Sequence, residues 1–190
     1  RKKDINMKKI EIDGLLFEPL FEEEQIQKRV RLMGIDISRR YEHKLPVFIG
    51  VLNGCFMFMA DLLKQIDVPC EMSFIKLASY IGTGQSELNE LLGLGIDLEG
   101  RDVIIVEDIV DSGHSLKYTL DAVKKLNPAG VIACALLVKP EALQYHFEEL
   151  TYVGFEISRL MSKISRSDKG NLETVSNISF SSNLMTKTPL

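Results

Sequence analysis

A chain of 190 residues, 45% hydrophobic and 26% charged, has the usage of a globular protein and the length of one domain with a full core. Its net charge of −4 argues against a general nucleic-acid binder, and no apolar run approaches the roughly 18 residues of a membrane span. Cys55, Cys70 and Cys134 are odd in number, widely spaced and set in apolar runs; they read as reduced core thiols, not a disulfide frame or metal site.

Taken in order, the basic start Arg1-Lys2-Lys3 runs into Asp4 and Asn6 without a signal-peptide core, so the cytoplasm is the expected location. Met7, followed by Lys8-Lys9-Ile10-Glu11-Ile12, reads as a natural start, which makes the first six residues an upstream extension. Ile26, Val30, Met33, Ile37 and Tyr41 recur at helical spacing. A buried strand is expected over Pro46–Leu52, a helix over Cys55–Ile66 and a strand over Cys70–Ala78. The connection from Ser79 to Gly100 contains Gly82, Gly84, Gly93, Gly95 and Gly100. Connections above about 12–15 residues are usually lids, binding loops or disorder; the plainer reading is a β-hairpin with a surface role. Val103–Glu107 reads as a strand and Leu116–Leu126 as a helix stopped by Asn127-Pro128-Ala129-Gly130. A strand over Val131–Val138, a helix over Pro140–Leu150 and a strand over Tyr152–Ile157 complete the plan. Such alternation predicts an α/β fold with a parallel sheet and right-handed crossovers.

Chemistry concentrates at the end of the Val103 strand. The dry run Val103-Ile104-Ile105-Val106 ends in Glu107, Asp108 and Asp111, followed by Ser112-Gly113-His114-Ser115 at the start of a helix. Free N–H groups, a flexible glycine and two hydroxyls at a helix N-terminus suit a phosphate dianion. Three acids would repel that anion, so they must face a divalent cation or sugar hydroxyls. A phosphorylated sugar satisfies both demands. Most acidic pairs at strand ends are simply solvated, but a plain surface turn has no need of phosphate-cradling geometry. His146 reads as a surface residue, His43 precedes a strand with no partner in view, and the His114 backbone N–H, not its ring, is what the turn requires.

These thirteen residues, Val103 to Ser115, resemble the 5-phosphoribosyl-1-pyrophosphate (PRPP) signature of type I phosphoribosyltransferases. Val51-Leu52-Asn53-Gly54, Phe74-Ile75-Lys76-Leu77-Ala78-Ser79-Tyr80, Leu136-Leu137-Val138-Lys139-Pro140 and Tyr152-Val153-Gly154-Phe155-Glu156-Ile157 extend the resemblance to the hypoxanthine (6-oxopurine) branch. The resemblance runs from about Glu18 to Ile157. It implies a Rossmann-like parallel-sheet fold with a small hood, and a mobile loop at 79–100 that opens with Ser79-Tyr80 and closes over PRPP. By the same resemblance Ser112, Gly113, His114 and Ser115 bind the 5-phosphate. Glu107 and Asp108 hold the ribose hydroxyls and Mg²⁺, and Leu52, Asn53 and Gly54 form a pyrophosphate loop with a cis bond at Leu52-Asn53. Asp111 handles the proton at purine N7, and Lys139 donates to the purine 6-oxygen. The implied reaction is transfer of ribose 5-phosphate from PRPP to hypoxanthine or guanine, releasing pyrophosphate, in a homodimer or homotetramer without nucleic-acid or membrane partners.

Beyond Ile157 the family pattern stops: its purine-stacking aromatic, metal-linked Asp and pyrophosphate-reaching Arg have no counterpart in Ser158-Arg159-Leu160-Met161-Ser162-Lys163. Asp168 falls near the spacing of that Asp but lacks matching neighbours. The last 33 residues hold 14 Ser, Thr and Asn and read as a polar tail, loop or disordered, after a domain of residues 1–157. The expectation is a chain that keeps the PRPP half of the site with weak or absent purine transfer. Two other readings stay open. One is a PRPP- or nucleotide-sensing regulatory protein of the same fold; the other is an acidic-pocket Mg²⁺ protein of the receiver or phosphohydrolase kind.

Overall fold

In the computed structural model the described residues are 10–12, 15–81, 86–92, 95–158 and 184–187. Strands β3 (Val47–Leu52), β4 (Glu71–Ile81), β5 (Ser86–Leu92), β6 (Asp102–Val110), β7 (Gly130–Val138) and β8 (Leu150–Glu156) form one sheet in the order β5-β4-β3-β6-β7-β8. Five of them are parallel, and β5 runs antiparallel to β4 at one edge. The α/β fold expected from the alternation of strands and helices is the one observed.

Both faces of the sheet are covered, which is why its central strands are apolar runs without a polar face. Phe48, Ile104, Val106, Cys134 and Leu136 bury against α1 (Glu23–Arg40) and α2 (Phe56–Leu63), through Val30, Met33, Ile37, Phe58, Met59 and Leu62. Val47, Ile49, Val51, Val103, Ile105, Ala133 and Ala135 bury on the other face with Leu116, Leu120 and Val123 of α3 (His114–Lys124). The alternation of Val47, Ile49 and Val51 against Phe48 is the period of two that a strand imposes. All three cysteines are free thiols, and Cys55 and Cys134 are buried. No helix among the described residues is long and apolar enough to cross a membrane.

Two expectations are corrected and one alternative is decided. The helix expected over Pro140–Leu150 is a single 3₁₀ turn, Pro140–Ala142, after which Leu143 turns extended (φ −58°, ψ 131°). Its neighbours are drawn elsewhere: the Gln144 N–H donates to Ser112 O, and Leu143 and Phe147 pack into the α3-side core. Tertiary contacts have overridden a helical reading. Of the two readings of the segment from Ser79 to Gly100, the hairpin is observed: β4 continues to Ile81 and pairs with β5 from Lys76↔Leu92 to Ile81↔Ser86. The hairpin satisfies backbone groups that a lone extension of β4 would leave unpaired. Finally, Leu184–Lys187 of the polar tail form strand β9. It pairs antiparallel with β2 (Leu15–Phe21), which also pairs with β1 (Ile10–Ile12).

This three-stranded sheet, built from both ends of the chain, is the small hood of the expected fold. Phe21, at the end of β2, stacks on Phe155 of β8 at 4.0 Å, and the Arg29 guanidinium lies 5.6 Å from the Phe155 ring centroid. Residues 1–6, Asp168 and most of the tail lie outside the described residues.

Candidate active site

The chain leaves β3 through α2 toward β4 on one side, and leaves β6 through α3 toward β7 on the other. The crossovers therefore part between β3 and β6, the topological switch point at which open α/β sheets bind ligands beyond their strand carboxyl ends. Two loops meet there. The loop after β3 begins with Leu52-Asn53, whose peptide bond is cis, as the resemblance implied. Next, Gly54 sits so close to β6 that a Cβ on it would lie 2.3 Å from Asp108 Oδ2. Only glycine allows that approach.

β6 carries the acids out of the core. Glu107 is buried, and its Oε1 accepts a 2.8 Å hydrogen bond from Ser115 Oγ at the start of α3. Burial first, and then the neighbouring Asp108, push its carboxyl up to about 8. Asp108 is raised as well, by burial against the bonds it receives from backbone N–H groups. Each carboxylate therefore lacks compensating charge in the protein, a deficit that a cation or hydroxyl donors would relieve. The two acids are hard oxygen donors, and no group of three or more His, Cys, Asp or Glu among the described residues forms a metal cage. Two carboxylates completed by substrate oxygens are the usual setting for Mg²⁺, so the residues fit that ion.

Past Val110 the chain turns through Asp111, Ser112 and Gly113 into α3. Gly113 is left-handed at φ 86°, where a side chain would be strained, and its position frees the first N–H groups of α3. The Ser112 hydroxyl and His114 Nδ1 share a 2.7 Å hydrogen bond. Asp111 Oδ2 accepts from Lys139 Nζ at 3.0 Å; the lysine is 1% exposed and the aspartate 29%. Lys139 arrives there because β7 lies beside β6 in parallel register, Val110 opposite Val138.

Thus the structure gathers Asn53-Gly54, Glu107, Asp108, Asp111 to Ser115 and Lys139 at adjoining strand ends. Ser79 and Tyr80 lie on β4, the neighbour of β3 on its other side. Sequence reasoning missed Gln144, Tyr145 and Phe147. Tyr145 meets the His114 ring edge-on at 5.3 Å, and Phe147 occupies the space beside Gly113. A faint signal existed: Leu143, Tyr145 and Phe147 alternate as in an extended segment.

A parallel sheet of this order, with a glycine turn and paired acids at its switch point, is the type I phosphoribosyltransferase fold of the solved structures it resembles. The chain belongs to the phosphoribosyltransferase family, whose phosphoribosyl transferase domain matches residues 18–168. It is 37% identical over 140 residues to the hypoxanthine-guanine phosphoribosyltransferase of Bacillus subtilis, covering 73% of this chain and 77% of that protein. It is 38% identical over 141 residues to the bifunctional protein TilS/HprT of Listeria monocytogenes, covering 73% of this chain but only 22% of that longer protein. Among solved structures, a hypoxanthine phosphoribosyltransferase from Staphylococcus aureus superposes with a TM-score of 0.70 at 33% identity, over 75% of this chain and 78% of that one.

Proposed function

We propose that this chain transfers the 5-phosphoribosyl group of PRPP to a 6-oxopurine, hypoxanthine or guanine, forming the mononucleotide and pyrophosphate. The observation that carries the reading is the Lys139–Asp111 pair beside the phosphate turn. In this reading Lys139 is the donor for O6 and Asp111 the acceptor for the N7 proton, side by side just past the ends of two adjacent strands. The hypoxanthine phosphoribosyltransferase names of its relatives support the same substrate class.

In this reading the N–H groups and hydroxyls of Ser112 to Ser115 bind the 5-phosphate, aided by the positive end of α3. Glu107 and Asp108 accept from the ribose 2- and 3-hydroxyls as the ring gains oxocarbenium character. These two acids also hold Mg²⁺, whose charge when bound offsets that of the leaving pyrophosphate. The Asn53-Gly54 loop, against Asp108, receives the pyrophosphate. Asp111 takes the N7 proton, and Lys139 retains two of its three N–H donors for O6. Ser79 and Tyr80 belong to the segment that excludes water from the cation.

Purified protein incubated with PRPP, Mg²⁺ and each of hypoxanthine, guanine, xanthine and adenine tests this. Mononucleotide and pyrophosphate in equal amounts from a 6-oxopurine are expected. PRPP binding without product from any base would replace transfer by sensing.

A further inference from the structure

Every residue from 110 to 114 is held by the chain that follows β7. The Lys139 N–H donates to Val110 O at 3.0 Å, and Lys139 Nζ to Asp111 Oδ2 at 3.0 Å. The Gln144 N–H donates to Ser112 O at 3.0 Å. The Phe147 ring stands where a Gly113 side chain would begin, its Cε2 2.7 Å from that Cβ position. The Tyr145 ring is perpendicular to that of His114, and the Tyr145 and Phe147 centroids are 6.0 Å apart.

We propose that residues 143–147 are a strap that positions the phosphate turn, with Phe147 and Tyr145 as positioning residues acting through Gly113 and His114. The inference rests on the phosphoribosyl reading of the site and adds to it a support for the PRPP subsite. A glycine turn has more accessible conformations than any other, yet anion binding requires its N–H groups to point one way. The turn has no side chain at Gly113 with which to hold itself. Phe147, anchored in the α3-side core, fills that space, and the Gln144 N–H fixes the carbonyl one residue earlier. A core residue of purely structural role would instead lower stability and weaken both substrates alike.

Calorimetric titration of the full chain with Mg²⁺-PRPP, with KM for PRPP and for the base, tests the strap. Three variants are compared: Phe147→Ala, Phe147→Leu and Gln144→Pro. The proline removes the N–H donor, and the extended Leu143 already has the backbone that a following proline requires. Phe147→Ala and Gln144→Pro should each weaken PRPP binding by about tenfold or more, the scale on which small misplacements of bound groups are felt, while KM for the base stays within about twofold. Phe147→Leu should restore most of the PRPP affinity. Unchanged PRPP affinity, or equal losses for PRPP and base, in the variants that fold would overturn the strap and leave the function standing. A wild-type chain that binds no PRPP would instead overturn the reading of the site itself, and the strap with it.

Discussion

Lys139 Nζ donates to Asp111 Oδ2 at 3.0 Å across the ends of β7 and β6, with the ammonium almost wholly buried. A buried ammonium needs such a partner, because an unpaired charge in that position is costly. The two residues are 28 positions apart in sequence, and only the parallel pairing of their strands makes them one unit.

Replacing Lys139 by alanine should abolish most discrimination between 6-oxo and 6-amino purines. Sites built around a hydrogen bond reject the wrong group by about 10⁴-fold. The ratio of kcat/KM for hypoxanthine and adenine is the measurement, and a ratio preserved in the variant would locate base reading elsewhere.

Asp111→Asn should slow transfer by ~10²–10⁴-fold, the usual contribution of a general acid or base, with PRPP affinity little changed. Asparagine keeps an acceptor for Lys139, so the loss of stability should stay below the ~3–5 kcal/mol of a broken buried pair. Single-turnover kinetics and a denaturant melt separate the two effects; an unchanged chemical step would remove Asp111 from the mechanism.

Glu107 makes stability depend on pH in an unusual direction. Its carboxyl is raised from an ordinary 4.5 to about 8 by burial and by Asp108, so between these values the folded state binds more protons than the unfolded one. The contribution of Glu107 to stability without Mg²⁺ should then be fully present below about 4.5 and be lost as pH rises toward and through about 8, by at most about 5 kcal/mol at 1.36 kcal/mol per pH unit. Glu107→Gln should flatten this slope in urea melts across that range. A slope that is the same in both proteins would count against the assignment.

Gly54→Ala puts a methyl group 2.3 Å from Asp108 Oδ2. Forced overpacking of this kind typically costs ~1–3 kcal/mol, and the displaced parts are the loop and the acid that the proposed function assigns to pyrophosphate and ribose. A loss of roughly tenfold or more in kcat/KM for PRPP is therefore expected. Parallel thermal melts would show whether stability falls with it; wild-type PRPP kinetics would mean that the loop yields without consequence.

A chain ending at Ile157 lacks β9, the antiparallel partner of β2. Amide hydrogen exchange at Phe17, Glu18 and Phe21 should accelerate in that version, since β2 loses one ladder of backbone hydrogen bonds. Turnover in the same two proteins tests the expectation of weak purine transfer. Full activity in the intact chain, lost on truncation, would show that the tail supplies the wall for the base through residues unlike those of the family.

Much of the site was legible because its chemistry is local. Glu107 to Ser115 leave a strand and enter a helix within nine residues, so the sequence alone shows that these side chains lie together at one strand end. The strap was not legible. Its Pro-Glu-Ala-Leu start resembles a helix, while what holds it extended is Ser112 O, the Gly113 gap and a place in the core, all distant in sequence. Likewise Leu184–Lys187 carry no strong strand pattern, and their strand exists through its pairing with β2.

Alone, the sequence determined the core alternation from β3 to β8, the two-sided burial of the sheet and the glycine turn that opens α3, since hydrophobic period and turn chemistry act between neighbours. Only the tertiary structure decided which strands adjoin. It thereby brought Gly54 against Asp108 and Lys139 against Asp111, and drew residues 143–147 away from a helix. Those outcomes depend on contacts between segments far apart in the chain, and the free energy of burial and hydrogen bonding there outweighs local propensity.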